Sequence, residues 1–383
     1  MGGLGKMLKT SNGRVVSCAC LRISQRLLGL ALALLCLLLT PSYSHAADRT
    51  WNGGTSTAWA LAANWTGGLP GAADRAIIPT GLARYPIVSA STTIDRLQVN
   101  GTGTVTINTG ITLTVDGGAG SPVLDGTGTV ISNGTGLLSV NVAASRTLVR
   151  TNLTVGNLTI NSGAANNLVI ANGTTFNVTG NLTITSGDLE IGSGGGAATL
   201  DVNGNLTITD ELNAAGTNAV IRVGGNWTQP GIFAAGTNST VIFDGAAAQV
   251  VNITQGTAGN EDFEFVQVTN PAGVTVTNGG NGDWNIADNL TVDGGLLILN
   301  DTTDVAVDVF VLNGGTITAN QDFDVQDDLS ITGGTVTLND VSTVNDDLMV
   351  DNGTLTVSAT GTLTSVDNLT LTTGGQAVFN GNS

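Results

Sequence analysis

Charge is scarce in this 383-residue sequence: 11% of its residues are charged, against about 25% in an ordinary soluble domain. What charge there is leans one way, with 12 basic and 29 acidic residues, which argues against the basic footprint of a nucleic-acid binder. Proline is rare too, at 7 residues, and the 54 glycines follow no Gly-X-Y period, so a collagen-like helix is excluded. Aromatic residues are few. Val, Leu and Ile nevertheless recur in short patterned runs that give the chain apolar surface to bury, which argues against disorder.

Cysteine, lysine and histidine are confined to one end. Lys6, Lys9, Arg14, Arg22 and Arg26 precede an apolar run over 27–39, which is followed by Pro41 and Ser44-His45-Ala46-Ala47. A basic region, a short apolar core and a small-residue exit read as a secretory signal peptide over residues 1–46, cleaved after Ala46. The 13-residue run is short for a span of about 20 residues. No membrane span is therefore expected after cleavage, a retained anchor being the alternative. Cys18, Cys20, Cys36, both lysines and His45 all fall in this segment. From residue 47 onward seven arginines face 29 carboxylates, and beyond Arg222 there are 19 acidic residues and no basic one. No Ser-His-Asp or Cys-His site can be assembled there, and neither a P-loop nor a Rossmann fingerprint is present. Without disulfides, stability must come from a long continuous core.

Internal repeats are clearest near the C-terminus. Residues 313–331 (NGGTITANQDFDVQDDLSI), 332–350 (TGGTVTLNDVSTVNDDLMV) and 351–371 follow one plan, which 293–312 shares. Their second turn glycines, Gly295, Gly315, Gly334 and Gly353, are almost evenly spaced, the fixed period that marks a repeat architecture. Earlier, Asn157, Asn181 and Asn205 each open an Asn-Leu-Thr-Ile run, again at a constant interval. These Asn-x-Ser/Thr frames read as turn or ladder asparagines, with glycosylation as the alternative.

Within each unit the signal is strand. Runs such as Thr104-Val-Thr-Ile alternate apolar and polar residues, the period-2 pattern of a half-buried strand. They end at Gly-Gly, Asn-Gly or Asp-Gly, residues that tolerate positive φ. A 19–24-residue unit holding two or three short strands predicts one coil of a right-handed parallel β-solenoid (β-helix). Coils would stack about 4.8 Å apart around an aliphatic column. The expected layout is an N-terminal cap over 47–91 and about 13–14 coils over 92–383, the clearest repeats being 293–371. A two-sheet β-sandwich is the alternative. Trp51, Trp59 and Trp65 read as covering the first coil, or as an aromatic platform for carbohydrate.

The stretch 51–79 (WNGGTSTAWALAANWTGGLPGAADRAIIP) resembles the opening of β-helical bacterial surface proteins. The segment 224–251 resembles a module of large secreted bacterial proteins, with Trp227, Phe233, Phe243, Asp244, Gly245 and Gln249 in that module's order. Nearly all of 48–383 is similar to the passenger portion of autotransporter and filamentous-haemagglutinin-type adhesins. The resemblance implies export across a Gram-negative envelope and a secreted or outer-membrane-associated surface location. It also implies a structural or adhesive role, with a host or environmental surface glycan or protein as partner. The translocator barrel of autotransporters has no counterpart in the sequence, and the chain stops in repeat style, so a C-terminal continuation or anchor is expected.

The most informative candidate site is acidic. Aligning the C-terminal repeats places Asp288, Val307, Asp327, Asp346 and Asp367 in one column and Asn289, Asp308, Asp328, Asp347 and Asn368 in the next. Carboxylates about 4.8 Å apart repel by ~0.9 kcal/mol per pair in water. Ca²⁺ could offset this by taking several carboxylate oxygens. The candidate metal ligands are Asp308, Asp327, Asp328, Asp346, Asp347 and Asp367, the alternative being solvated turn carboxylates. No motif requires a cofactor, and no catalytic residue is assigned. A carbohydrate-active β-helix hydrolase is the alternative function, since inverting glycosidases need only a carboxylate pair. The pairs Thr316/Thr318, Thr335/Thr337 and Thr354/Thr356 recur in step with Gly315, Gly334 and Gly353. That outward grid is ordinary β surface or, as a further alternative, an ice-binding face.

Overall fold

The computed structural model describes residues 47–118, 120–254, 263–278, 284–364 and 366–380; the segment read as a signal peptide lies outside them. Apart from one 3-10 turn, Ala62–Asn64, the regular elements are strands. They form two sheets of fourteen strands each and three sheets of five. A typical coil gives Thr129–Ser132 to the first long sheet, Leu137–Val140 to the second and Arg146–Val149 to a third face, before Thr154–Val155 begins the next. The third face is built in succession by the three five-stranded sheets, over 48–125, 146–234 and 284–364.

Thr129 is opposite Thr154, and Leu138 is opposite Leu158, each pair parallel and one coil apart. This is a parallel β-solenoid of about fourteen turns. It overturns the sandwich alternative, whose neighbouring strands would run antiparallel.

Alternation within each strand decides what fills the interior. In the second long sheet the register runs from Leu113 through Leu138, Leu158, Leu182 and Leu206 to Trp227, all at most 1% exposed. Each such side chain contributes about 1.5–3 kcal/mol of burial, and the continuity of the column substitutes for cross-links.

The glycine repeat marks the corner between the two long sheets. Gly294, Gly314 and Gly333 adopt φ of 65°, 84° and 71°, and Asn352 takes the same role at 53°. The next glycine passes close to the coil before it: a Cβ on Gly315 would lie 2.3 Å from the Val292 carbonyl oxygen.

Between residues 227 and 284 the core turns aromatic. Trp227 meets Phe233 edge-on at 5.2 Å and Phe263 at 5.5 Å, and Phe263 meets Trp284 at 5.9 Å. Beside them the buried Gln249 closes a corner. Its Oε1 accepts from Gly245 N–H (3.0 Å) and Asn270 Nδ2 (2.8 Å), and its Nε2 donates to the carbonyls of Val223 (2.8 Å) and Gly225 (2.5 Å).

At the N-terminal end Asp48–Trp51 pairs antiparallel with Trp65–Thr66 and parallel with Arg75–Ile78. Trp65 packs edge-on against Trp51 and Trp59, at 5.1 and 4.8 Å. All three rings are buried, so they are core and cannot form the carbohydrate platform considered as their alternative. Four arginines sit in this end of the chain, and two of them pair across strands: Arg49 with Asp74 (3.1 Å) and Arg75 with Asp48 (2.8 Å).

Leu206→Ala opens a cavity in the column and is expected to cost about 2–5 kcal/mol. Gln249→Leu removes the side-chain partner of the buried Gly245 N–H and one bond each from the Val223 and Gly225 carbonyls and from Asn270 Nδ2. It is expected to cost about 3 kcal/mol despite the gain in apolar volume. Urea denaturation of both variants checks these values, and a Gln249→Leu protein as stable as the parent would contradict the corner assignment.

Candidate functional site

A coil must turn sharply between its strands, and at each corner backbone groups lose their in-sheet partners. Two corners carry a recurring side chain that restores them. At the turn from the first long sheet to the second, Asn157 Oδ1 accepts the N–H of Asn181 (3.0 Å). Asn181 in turn accepts that of Asn205 (2.9 Å), Asn205 that of Asn226 (2.9 Å) and Asn226 that of Val250 (2.8 Å). The Asn-Leu-Thr-Ile asparagines are thus a ladder.

The acidic columns lie at the turn from the third face into the first long sheet. Asn289 Oδ1 accepts the N–H of Asp308 (3.0 Å), Asp308 that of Asp328 (3.2 Å) and Asp328 that of Asp347 (3.0 Å), while Asn368 Nδ2 donates to Asp347 (2.7 Å). In the adjacent column Val307 N–H meets the Asp288 carbonyl (3.3 Å) and Asp367 N–H meets that of Asp346 (3.0 Å). Both columns stack as their spacing predicts. These carboxylates therefore do what asparagine does at the other corner, with negative charge added.

That charge is concentrated. Asp308, Asp327 and Asp328 bring one carboxylate oxygen each within 4.8 Å of one another, and Asp328, Asp346 and Asp347 do the same. Asp367 joins neither group among the described residues. Oxygens so placed could share a divalent cation with a flexible shell, such as Ca²⁺. Lost hydration, and then the charges of Asp347, Asp328, Asp327 and Asp367, hold the exposed Asp346 carboxyl above the ordinary value for aspartate.

A second acidic group escaped the sequence reading. Asp188 on the third face stands in register with Glu211. It is pushed up by burial and then by the charges of Glu211, Asp210 and Glu190. Its signal is an acid beside leucine in DLE (188–190) and DEL (210–212), whose differing order hides the match. Asp116, raised by burial and by Asp95, borders an open cleft of about 530 Å³ with Asn141, Ser162 and Asn166. Another cleft, of about 360 Å³, has Asp304, Asn285 and Gln326 on its walls.

The predicted threonine grid is in register: Thr316, Thr335 and Thr354 form one outward row and Thr318, Thr337 and Thr356 another. Leu296 and Ile298 continue those rows one coil earlier.

Acid should act oppositely at the two ends. Asp48 is lowered, chiefly by its hydrogen bond to Arg75. Asp74, although burial pushes it up, is brought below its ordinary value by the Gly71 N–H, Arg49 and the Ala47 N–H. A lowered carboxyl contributes stability above the unfolded value, and this is lost as pH falls through the folded one. The raised Asp346 has the reverse sign: its contribution is full below the unfolded value and is lost as pH rises through the folded one. On acidification through about pH 4, amides around 328–347 are expected to gain hydrogen-exchange protection relative to those of 48–78. A uniform change along the rod would contradict this.

Comparison with protein-family models, with curated proteins and with solved structures finds no match to this chain.

Proposed function

We propose that the chain is a non-catalytic structural element of a secreted or surface-bound, adhesin-like protein, meeting a surface glycan or protein along its lateral faces. The observation that carries this reading is where the polar chemistry goes. Most recurring polar side chains of the corners join one coil to the next, and each of the two clefts has a single carboxylate on its wall. The resemblance of 51–79 to the opening of β-helical bacterial surface proteins, and of 224–251 to a module of large secreted bacterial proteins, supports export. A carbohydrate hydrolase is the second reading, and Asp188 beside Glu211 is the observation that favours it. Incubation with neutral and acidic polysaccharides is expected to give retention without new reducing ends. Cleavage that Asp188→Asn abolishes would replace the proposal with the hydrolase.

A Ca²⁺ ion shared between coils by the carboxylates of Asp308, Asp327, Asp328, Asp346 and Asp347, with Asp367 at the end of the column, belongs to the same proposal as an accessory to rigidity. The mutual repulsion of these groups supports it. Asp328→Asn keeps the ladder acceptor while removing a ligand charge. The expected result is a melting midpoint higher in Ca²⁺ than in EGTA or in Mg²⁺ of equal ionic strength, with the difference lost in Asp328→Asn. Equal midpoints would reduce the corner to its hydrogen bonds.

A further inference from the structure

The three faces of the rod differ in one respect that composition alone conceals. The first long sheet carries Asp201, Arg222, Asp293, Asp347 and Asp351 within its strands, and the third face carries Arg96, Arg146, Asp188 and Glu211 among others. The fourteen strands of the second long sheet, from Thr92–Ile94 to Gln376–Phe379, contain no Asp, Glu, Lys, Arg or His. Hydroxyls take their place. From Thr93 through Thr159 and Thr183 to Thr228, seven successive coils present Thr or Ser at one register position, and the C-terminal grid resumes the pattern. Val250 and Val378, each 40% exposed, lie on the same sheet.

We propose that this uncharged face is a lateral interface between two copies of the chain. The inference goes beyond the surface-element reading and does not depend on what that element binds. Three observations select a second copy as the occupant. With 29 carboxylates and seven arginines after residue 46, two rods repel wherever acidic surfaces meet, and this face alone brings no like charges together. Its hydroxyl rows recur about every 4.8 Å, a spacing that another copy of the same face matches along its whole length. Its extent is also sufficient. Fourteen strands of about four residues span about 65 by 13 Å. Covering that area on both copies removes about 1,700 Å² from water, within the 1,200–2,000 Å² typical of stable interfaces. A two-fold axis lying in the plane of the contact would make it self-complementary.

Sedimentation equilibrium of the secreted chain across the micromolar range tests this. The expected result is the mass of two copies. Thr183→Glu with Thr207→Glu, which add carboxylates to the face, are expected to abolish the dimer while leaving the circular dichroism unchanged. Thr129→Glu on the first long sheet is expected to leave the dimer intact. A monomer at every concentration overturns the proposal, as does a dimer indifferent to the Thr183→Glu and Thr207→Glu pair. Retention of a monomer on an uncharged polysaccharide, or thermal hysteresis by a monomer, either of them lost in that pair, would assign the face to a glycan or to ice and overturn it as well.

Discussion

Everything in this structure depends on register between coils. A parallel strand must find its hydrogen-bond partner one coil away, about 4.8 Å along the rod, so each position inherits the position one coil before it. Inward, the rule places Leu over Leu and Val over Val, and the core becomes one column without a centre. A misfit is felt by both neighbours, and the large fillers are accordingly grouped, Trp227 packing on Phe233 and Phe263.

The same rule constrains the polar residues. A side chain that accepts its neighbour's backbone N–H can be copied coil after coil, as Asn157, Asn181 and Asn205 are. Aspartate can do this job only by stacking like charges, and from Asp308 to Asp347 the chain accepts that repulsion. Opposite charges recur where arginine is present, at the N-terminal strands and at Arg222, which pairs with Asp244. The rod is thus electrostatically polarised along its length: paired at the start, one-signed later, and neutral along one face throughout.

How much of this was legible in the sequence follows from the same constraint. The C-terminal coils keep a nearly constant length, so their glycines, threonines and both acidic columns align by inspection, and the structure stacks them as aligned. Gln249 belongs to a motif of large residues, and the structure places its side chain at a corner it closes with Gly245, Val223, Gly225 and Asn270. The third face was hardest to see, because strands such as Glu211–Asn213 and Thr303–Val305 are three residues long and alternate too briefly to register as strand. The long hydroxyl row escaped for another reason. Its steps are uneven, the one from Thr114 to Ser139 being longer than the next, from Ser139 to Thr159. Only the pairing itself shows that seven coils share one position. Asp188 and Glu211 were hidden by the same irregularity.

The most direct test of in-register stacking is a distance along one column. From Thr129 the register of the first long sheet passes through Thr154, Asn177, Asp201, Arg222, Ile242 and Gln267 to Thr291. The chain after residue 46 has no cysteine, so Thr129→Cys and Thr291→Cys accept spin labels without background. Double electron–electron resonance should give a single narrow distance near 34 Å, seven steps of about 4.8 Å. A broad distribution, or a narrow one well away from that distance, would contradict the stacked-coil account.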